Sequence, residues 1–195
     1  MRSLLHFSII GFVAFECAAF AQEADPFPSN NKRLEWAFRA TLNPGRIAGT
    51  AFSSAISTAN NNPEEFGPGW PGFGKRFGTR MFNRTVQNIA EVEVGSLWNE
   101  DPRYYPLGQG SFGRRFLHVL KMTVAVRRTD GSFAPAYARY IAVPSVSALS
   151  NAWRPESERT AGQTALRIPM SFVNRIIGNS FSEFWPDLRR RMSRK

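Results

Sequence analysis

The strongest constraint on this fold is a long run of helical spacing in mid-chain. Apolar residues recur at Phe73, Phe77, Met81, Val86, Ile89, Val92 and Leu97, the spacing of one helix face. Gly74 and Gly78 lie one turn apart and offer a bare strip where another backbone can approach. Lys75, Arg76, Arg80 and Arg84 crowd the start of this helix, while Glu91 and Glu93 stand towards its end. That is the unfavourable sense for a helix dipole, at about 0.3–1 kcal/mol per misplaced charge. Partners outside the helix are therefore expected to offset these cations.

Shorter segments surround it. Lys32 to Leu42 reads as a helix with Leu34, Phe38 and Leu42 on one face, broken by Asn43-Pro44-Gly45. Arg46 to Ala59 has no charge after Arg46. Ala48, Ala51, Phe52, Ala55, Ile56 and Ala59 give it a face of mainly small side chains, suited to close helix packing in water or lipid. Asn60 to Gly72 is a loop. Ser111 is a plausible cap for a helix reaching about Arg128, although Val124-Ala-Val126 before Asp130-Gly131 also suits a hairpin. Pro135 opens a helix interrupted by Pro144 and ending near Trp153. Ser157 opens the last long helix, with Ala161, Ala165, Ile168, Phe172 and Ile176 on one face and Pro169 within. Arg139, Arg154, Arg159, Arg167 and Arg175 cut these segments too short to span a bilayer, which takes about 20 apolar residues. The expectation is an all-α fold: one compact bundle of five or six helices, two of them kinked at internal prolines.

The chain ends with Phe181, Phe184, Trp185, Leu188 and Met192 at helical spacing, beside Arg189, Arg190 and Arg191. An aromatic stripe flanked by cations suits an interfacial membrane helix. The simpler reading is a last helix docked on the core with a frayed basic tail.

At the other end Arg2, an apolar run from Leu4 to Phe20 and Ala19-Phe20-Ala21 read as a secretory leader with a cleavage box. Retention as an uncleaved anchor is the alternative. The boundaries read as a leader at 1–21, a flexible lead at 22–31, a helical domain at 32–188 and a basic tail at 189–195. Cleavage removes Cys17, the one cysteine, and His6, leaving His118. It also removes one base, Arg2, and one acid, Glu16, so the formal charge stays at +10. A chain this basic is drawn to anionic surfaces.

That inventory rules out much chemistry within one mature chain. A His/Cys zinc site lacks ligands and a Cys/His nucleophile pair lacks its thiol. His118 falls in an apolar helix pattern, where a structural histidine is the simpler reading. The glycines of Gly72 to Gly78 fit neither a Walker loop nor a dinucleotide fingerprint. Asn83-Arg84-Thr85 matches a glycosylation sequon but falls mid-helix.

Several pieces occur in order: Gly72-Phe-Gly-Lys-Arg-Phe-Gly78, Glu100-Asp-Pro-Arg-Tyr104, Ser111-Phe-Gly-x-Arg115, Ser150-Asn-x-Trp153-x-Pro155, and Gly178-Asn with Glu183-Phe184. Their order, from about Pro63 to Pro186, resembles a family of exported bacterial proteins of unknown function. The resemblance implies export and an all-helical fold, and assigns no catalytic residue.

The mid-chain acids carry the functional choice. Glu91, between Ala90 and Val92, could be the protonated acid of a lysozyme-like glycan-cleaving enzyme. The structural reading makes Glu91 or Glu93 the partner of Arg115, Arg139 or Arg167 from neighbouring helices. It also makes Asp101 the cap of a turn fixed by Pro102, with Arg103 and the tyrosines laid over the core, and counts Asp101 and Arg103 among the ion-pair candidates. The expectation is a non-enzymatic, exported envelope protein on an anionic membrane surface or an envelope protein partner. No cofactor, metal or specific nucleic acid is indicated, and no small-molecule ligand is identified.

Overall fold

Helical spacing and the breakers between it produce six helices and one small sheet in the computed structural model, which describes residues 30–193. The leader at 1–21, the lead up to residue 29 and the final residues 194–195 lie outside the described residues. Helix α1 spans Asn30–Thr41 and α2 spans Pro44–Ala59. Asn43 caps α2 by accepting the Gly45 N–H at 3.0 Å, and Pro44 sits at the helix start, where its missing donor is harmless. After a 3₁₀ turn at Glu64–Phe66, α3 runs from Gly69 to Ser96. Then come β1 (Glu100–Asp101), α4 (Phe112–Val124), β2 (Ala125–Arg128), β3 (Phe133–Pro135) and α5 (Tyr137–Leu149). Two further 3₁₀ turns, at Ser150–Ala152 and Glu156–Glu158, lead to α6 (Ala161–Met192).

The sheet corrects the purely helical expectation. The helix begun at Ser111, whose hydroxyl accepts from the Arg114 N–H, stops at Val124, and β2 turns into β3. Asp130 Oδ1 accepts from the Ser132 N–H at 2.8 Å and from its hydroxyl at 2.6 Å, and Gly131 takes φ +84°. That local turn chemistry outweighs helix propagation. β2 is the middle strand, antiparallel to both neighbours, with Val126 opposite Ala134 and Asp101 opposite Arg127.

Around α3 pack α1, α2 and α5, while α6 lies against α4 and α5. At Gly95 the neighbouring elements approach closely. A Cβ there would meet the Ala138 Cβ at 3.4 Å and the Glu100 Cβ at 3.5 Å. Gly72 is tighter still, with the Gly67 carbonyl oxygen 2.0 Å from where its Cβ would stand. Around Gly74, Gly78 and Gly49, in contrast, space is open. The strip expected at Gly74 and Gly78 therefore serves no packing contact.

Helix faces are reversed as well. Leu34, Phe38 and Leu42 point outward, and α1 docks through Arg33, Ala37 and Thr41. α2 exposes Ala48, Phe52, Ala55, Ile56 and Ala59 and buries Thr50 and Ser54. For α2 the cause is the cationic face of α3. Arg80 donates to the hydroxyls of Ser53, Ser54 and Ser57, and Arg84 to Thr50 Oγ1 and the Arg46 carbonyl. A buried guanidinium needs oxygen partners more than a methyl group needs cover.

α6 begins at Ala161, capped by Thr160, and not at Ser157, which Glu65 holds through both its N–H and its hydroxyl at 3.0 Å. Pro169 and Pro186 lie inside α6, and Pro144 inside α5. The helix continues through Arg189, Arg190 and Arg191. The expected tail is thus, as far as Met192, a last helical turn, where cations complement the dipole.

Candidate functional site

The residues best able to do chemistry converge where α3, α5 and α6 meet. Glu91, a buried α3 residue, bonds Arg139 of α5 through Oε1, at 3.0 Å to Nη2 and 3.1 Å to Nε. Its Oε2 pairs with Arg175 of α6. Arg139 spends its remaining edge on the Met122 and Thr123 carbonyls that end α4. Burial pushes the Glu91 carboxyl up, but Arg175 and Arg139 outweigh it and leave the group below the usual carboxylate range. Burial, with Arg139 next, lowers Arg175 to about 10, so it stays protonated at neutral pH. Glu91 is thus an ionised knot between three helices. A glycosidase acid needs the opposite, a carboxyl held protonated beside open space.

A second knot was missed in the sequence. Glu183 has no exposed surface. It accepts from the Tyr104 hydroxyl at 2.7 Å, the Leu107 and Gly108 amides at 2.9 Å and Arg115 Nε at 2.8 Å. Arg115 also bonds Asp187 and the Glu183 carbonyl, and its guanidinium lies over the Phe184 ring, 4.6 Å from the centroid. Burial raises the Glu183 carboxyl, yet Arg115, Tyr104 and the two amides bring it below the usual range. A readable signal existed: Glu183 is an acid set among Phe181, Phe184 and Trp185, which only a paired arginine makes tolerable.

At β1, Asp101 takes Arg103 at 2.7–3.0 Å, the Arg103 amide at 2.9 Å and the Tyr105 hydroxyl at 2.5 Å. Arg103 and Arg127 lie over the Tyr105 ring, each 5.5 Å from its centroid. Buried Glu100 accepts the Ala138 N–H at the start of α5. Burial raises its carboxyl, opposed by the Ala138 and Tyr137 amides. His118 Nε2 is 2.8 Å from the Tyr105 carbonyl, which can only accept, so this nitrogen carries the proton.

Of the expected ion pairs, the fold brings together Glu91 with Arg139 and Asp101 with Arg103. Arg115 goes to Glu183 and Asp187, far along the chain from Glu91. Arg167 pairs with no mid-chain acid. It donates to Ser150 Oγ, Asn151 Oδ1, Thr164 Oγ1 and the Glu158 carbonyl. Glu93 stands on the exposed side of α3, one helix face away from Glu91. Arg76, one of the cations expected to find partners outside the helix, is buried. Its guanidinium binds the Asn62, Pro63 and Gly67 carbonyls at 2.6–2.9 Å and closes the loop before α3.

The C-terminal stripe divides. Phe184 faces the bundle, stacked on Phe112 at 5.0 Å. Phe181 and Leu188 face outward, with Trp185 stacked on Phe181 at 4.9 Å. The exposed set is larger than expected: Leu166, Met170, Val173, Ile177, Phe181, Leu188 and Met192 recur every three, four or seven residues along α6. They trace one apolar line down a 32-residue helix about 48 Å long.

Among the described residues no helix is long and apolar enough to cross a membrane, and no three His, Cys, Asp or Glu side chains gather where a metal ion could be held. No protein-family model, curated protein or solved structure matches the chain. Its chemistry is read from its own geometry.

Proposed function

We propose that this is an exported envelope protein that works by lying on an anionic membrane surface, with the outer face of α6 as its contact. One observation carries the reading: α6 is apolar on both sides. Phe172 and Ile176 are half-buried against the bundle, and the Leu166–Ile177 line on the other side is uncovered, with Ile177 61% exposed. A helix with one apolar stripe on the bundle and a second left uncovered asks for a partner or a lipid boundary to cover the second. Charge adds to the argument, because the chain carries +10 and α6 closes on Arg189, Arg190 and Arg191. Interfacial helices combine such apolar area with cations that meet acidic headgroups. Four of the acids, meanwhile, are withdrawn from the surface: Glu91, Glu100, Asp101 and Glu183 are all buried.

Removing residues 181–195 would be a poor test, since it deletes Glu183 and Asp187 and with them the partners of Arg115. Substitution is cleaner. A Leu166→Ser, Val173→Ser, Ile177→Ser variant should keep the parent melting temperature within a few degrees. It should lose about tenfold in affinity for phosphatidylcholine vesicles containing phosphatidylglycerol, measured by co-sedimentation. Equal sedimentation of variant and parent would refute the contact.

A further inference from the structure

Beside the apolar line of α6 lies a cleft of ≈170 Å³ that the ionic knots do not use. Asn83 and Gln87 of α3, Ser147 of α5, Ser150 just beyond it, and Arg167 and Asn174 of α6 supply its polar wall. Arg154 and Ser171 also line it, and Met170, a member of the exposed apolar line, forms part of its edge.

Two donors in this wall are buried and unpartnered, Arg167 Nε and Asn83 Nδ2. The orientation of Asn83 follows from chemistry. The Trp153 indole N–H donates to its Oδ1 at 2.7 Å, so the amide nitrogen is the end left over. Arg167 has committed Nη1 and Nη2 to Ser150, Asn151, Thr164 and the Glu158 carbonyl, all neutral oxygens. No carboxylate lines the cleft. Glu158 is taken by Arg154 in an i,i+4 pair. Burial, and Arg154 after it, hold the Arg167 guanidinium below its usual range, as expected for a cation short of counter-charge. Buried donors without acceptors are rare in folded proteins and ask for a ligand.

We infer that this cleft binds a phosphate group, a monoester or diester whose oxygens accept from the flanking amides and hydroxyls and from Arg167 Nε and Asn83 Nδ2, which a small turn of the two side chains brings from just beneath the cleft wall to its surface. Three features favour phosphate over a carboxylate. The donors come singly from separate elements, which suits a tetrahedral anion with several oxygens. The coplanar fork that an arginine offers a carboxylate is already occupied here. The volume fits a group of this size and not a glycan strand. Phosphate could reach the cleft as a small soluble ester or as the headgroup of a lipid. The edge shared with the apolar line favours the lipid, and in that form the inference rests on the membrane reading above.

The test follows backbone amide shifts of the full chain by NMR while inorganic phosphate, then glycerol 3-phosphate, is added. Shifts should concentrate on residues 83–87, 147–154 and 167–174. They should saturate, and Arg167→Gln should weaken binding about tenfold or more. Because Arg167 also braces the turn after α5, Gln87→Leu is a second variant. Gln87 makes no framework bond, so its melting temperature should hold while phosphate binding falls a few-fold. Non-saturating shifts spread over the basic surface, or undiminished binding in both variants, would overturn the inference. Co-sedimentation with vesicles that do or do not contain phosphatidylglycerol separates the sources. Loss of phosphate binding with vesicle binding intact sinks this site and leaves the membrane reading standing. Vesicle binding absent while the phosphate site saturates sinks the membrane reading and assigns the cleft to a soluble ester.

Discussion

Glu91 and Glu183 show how single residues hold this molecule. Each is a buried carboxylate satisfied by groups distant in sequence, so deleting its charge strands arginines rather than freeing them. Glu91→Gln should cost about 3–5 kcal/mol, because Arg139 and Arg175 are left buried around a neutral amide. Urea denaturation measures this, and a loss below about 1 kcal/mol would contradict it. The pH dependence has a definite sign. Both carboxyls sit below the usual range in the fold, so the stability they contribute is complete above the unfolded value of about 4.3 and is lost as pH falls through the folded values. Glu100, raised by burial, acts in the opposite sense and offsets part of the loss. Melting temperature should hold from neutrality to about pH 5 and fall below about pH 4. A rise on further acidification would mean that Glu100 dominates. Asp101 with Arg103 was legible in advance because the pair is local. Glu183 announced only that it needed a partner; its four donors are recruited from Tyr104 to Arg115, about seventy residues earlier, and no local pattern names them.

Among the elements, α3 sets the arrangement and its glycines separate two roles. At Gly72 a Cβ would collide with a carbonyl oxygen and with Arg76, whereas Gly78 faces open space in mid-helix. Gly72→Ala should therefore destabilise by about 1–3 kcal/mol. Gly78→Ala should stabilise by about 0.5–1 kcal/mol through reduced backbone entropy in the unfolded chain. Paired thermal melts decide it, and equal shifts would show the Gly72 contact to be soft. The period of α3 was readable because 3.6-residue spacing is a local property. The facing of α1 and α2 was not, because apolar spacing alone points Leu34, Phe38 and Phe52 inward. What turned α2 was the demand of Arg80 and Arg84 for oxygens, met by Ser53, Ser54, Ser57 and Thr50, while α1 is held through Arg33, which reaches the Glu100 carbonyl, and Thr41, which accepts from Asn88. Hydroxyl spacing on α2 was visible but gave no sign of its partner.

For the whole molecule, polar and charged side chains occupy much of the interior while many large apolar ones stand outside. Buried hydrophobics are chiefly alanines and valines, and Phe52, Leu166 and Ile177 are exposed. Such a surface should bind a hydrophobic reporter dye in the native state, and anionic vesicles should suppress that signal. Dye binding that vesicles leave unchanged would place the apolar faces elsewhere than on lipid. By itself the sequence determined the helical body, the breaks between helices, the basic balance and the pairing of Asp101 with its near neighbour. Each depends on backbone propensity or on residues a few positions apart, and such terms survive without a fold. Tertiary structure alone decided which faces look inward, which arginine meets which acid, and where two donors are left unpaired beside α6. Those outcomes depend on desolvation, and a side chain loses its water only when distant segments close over it.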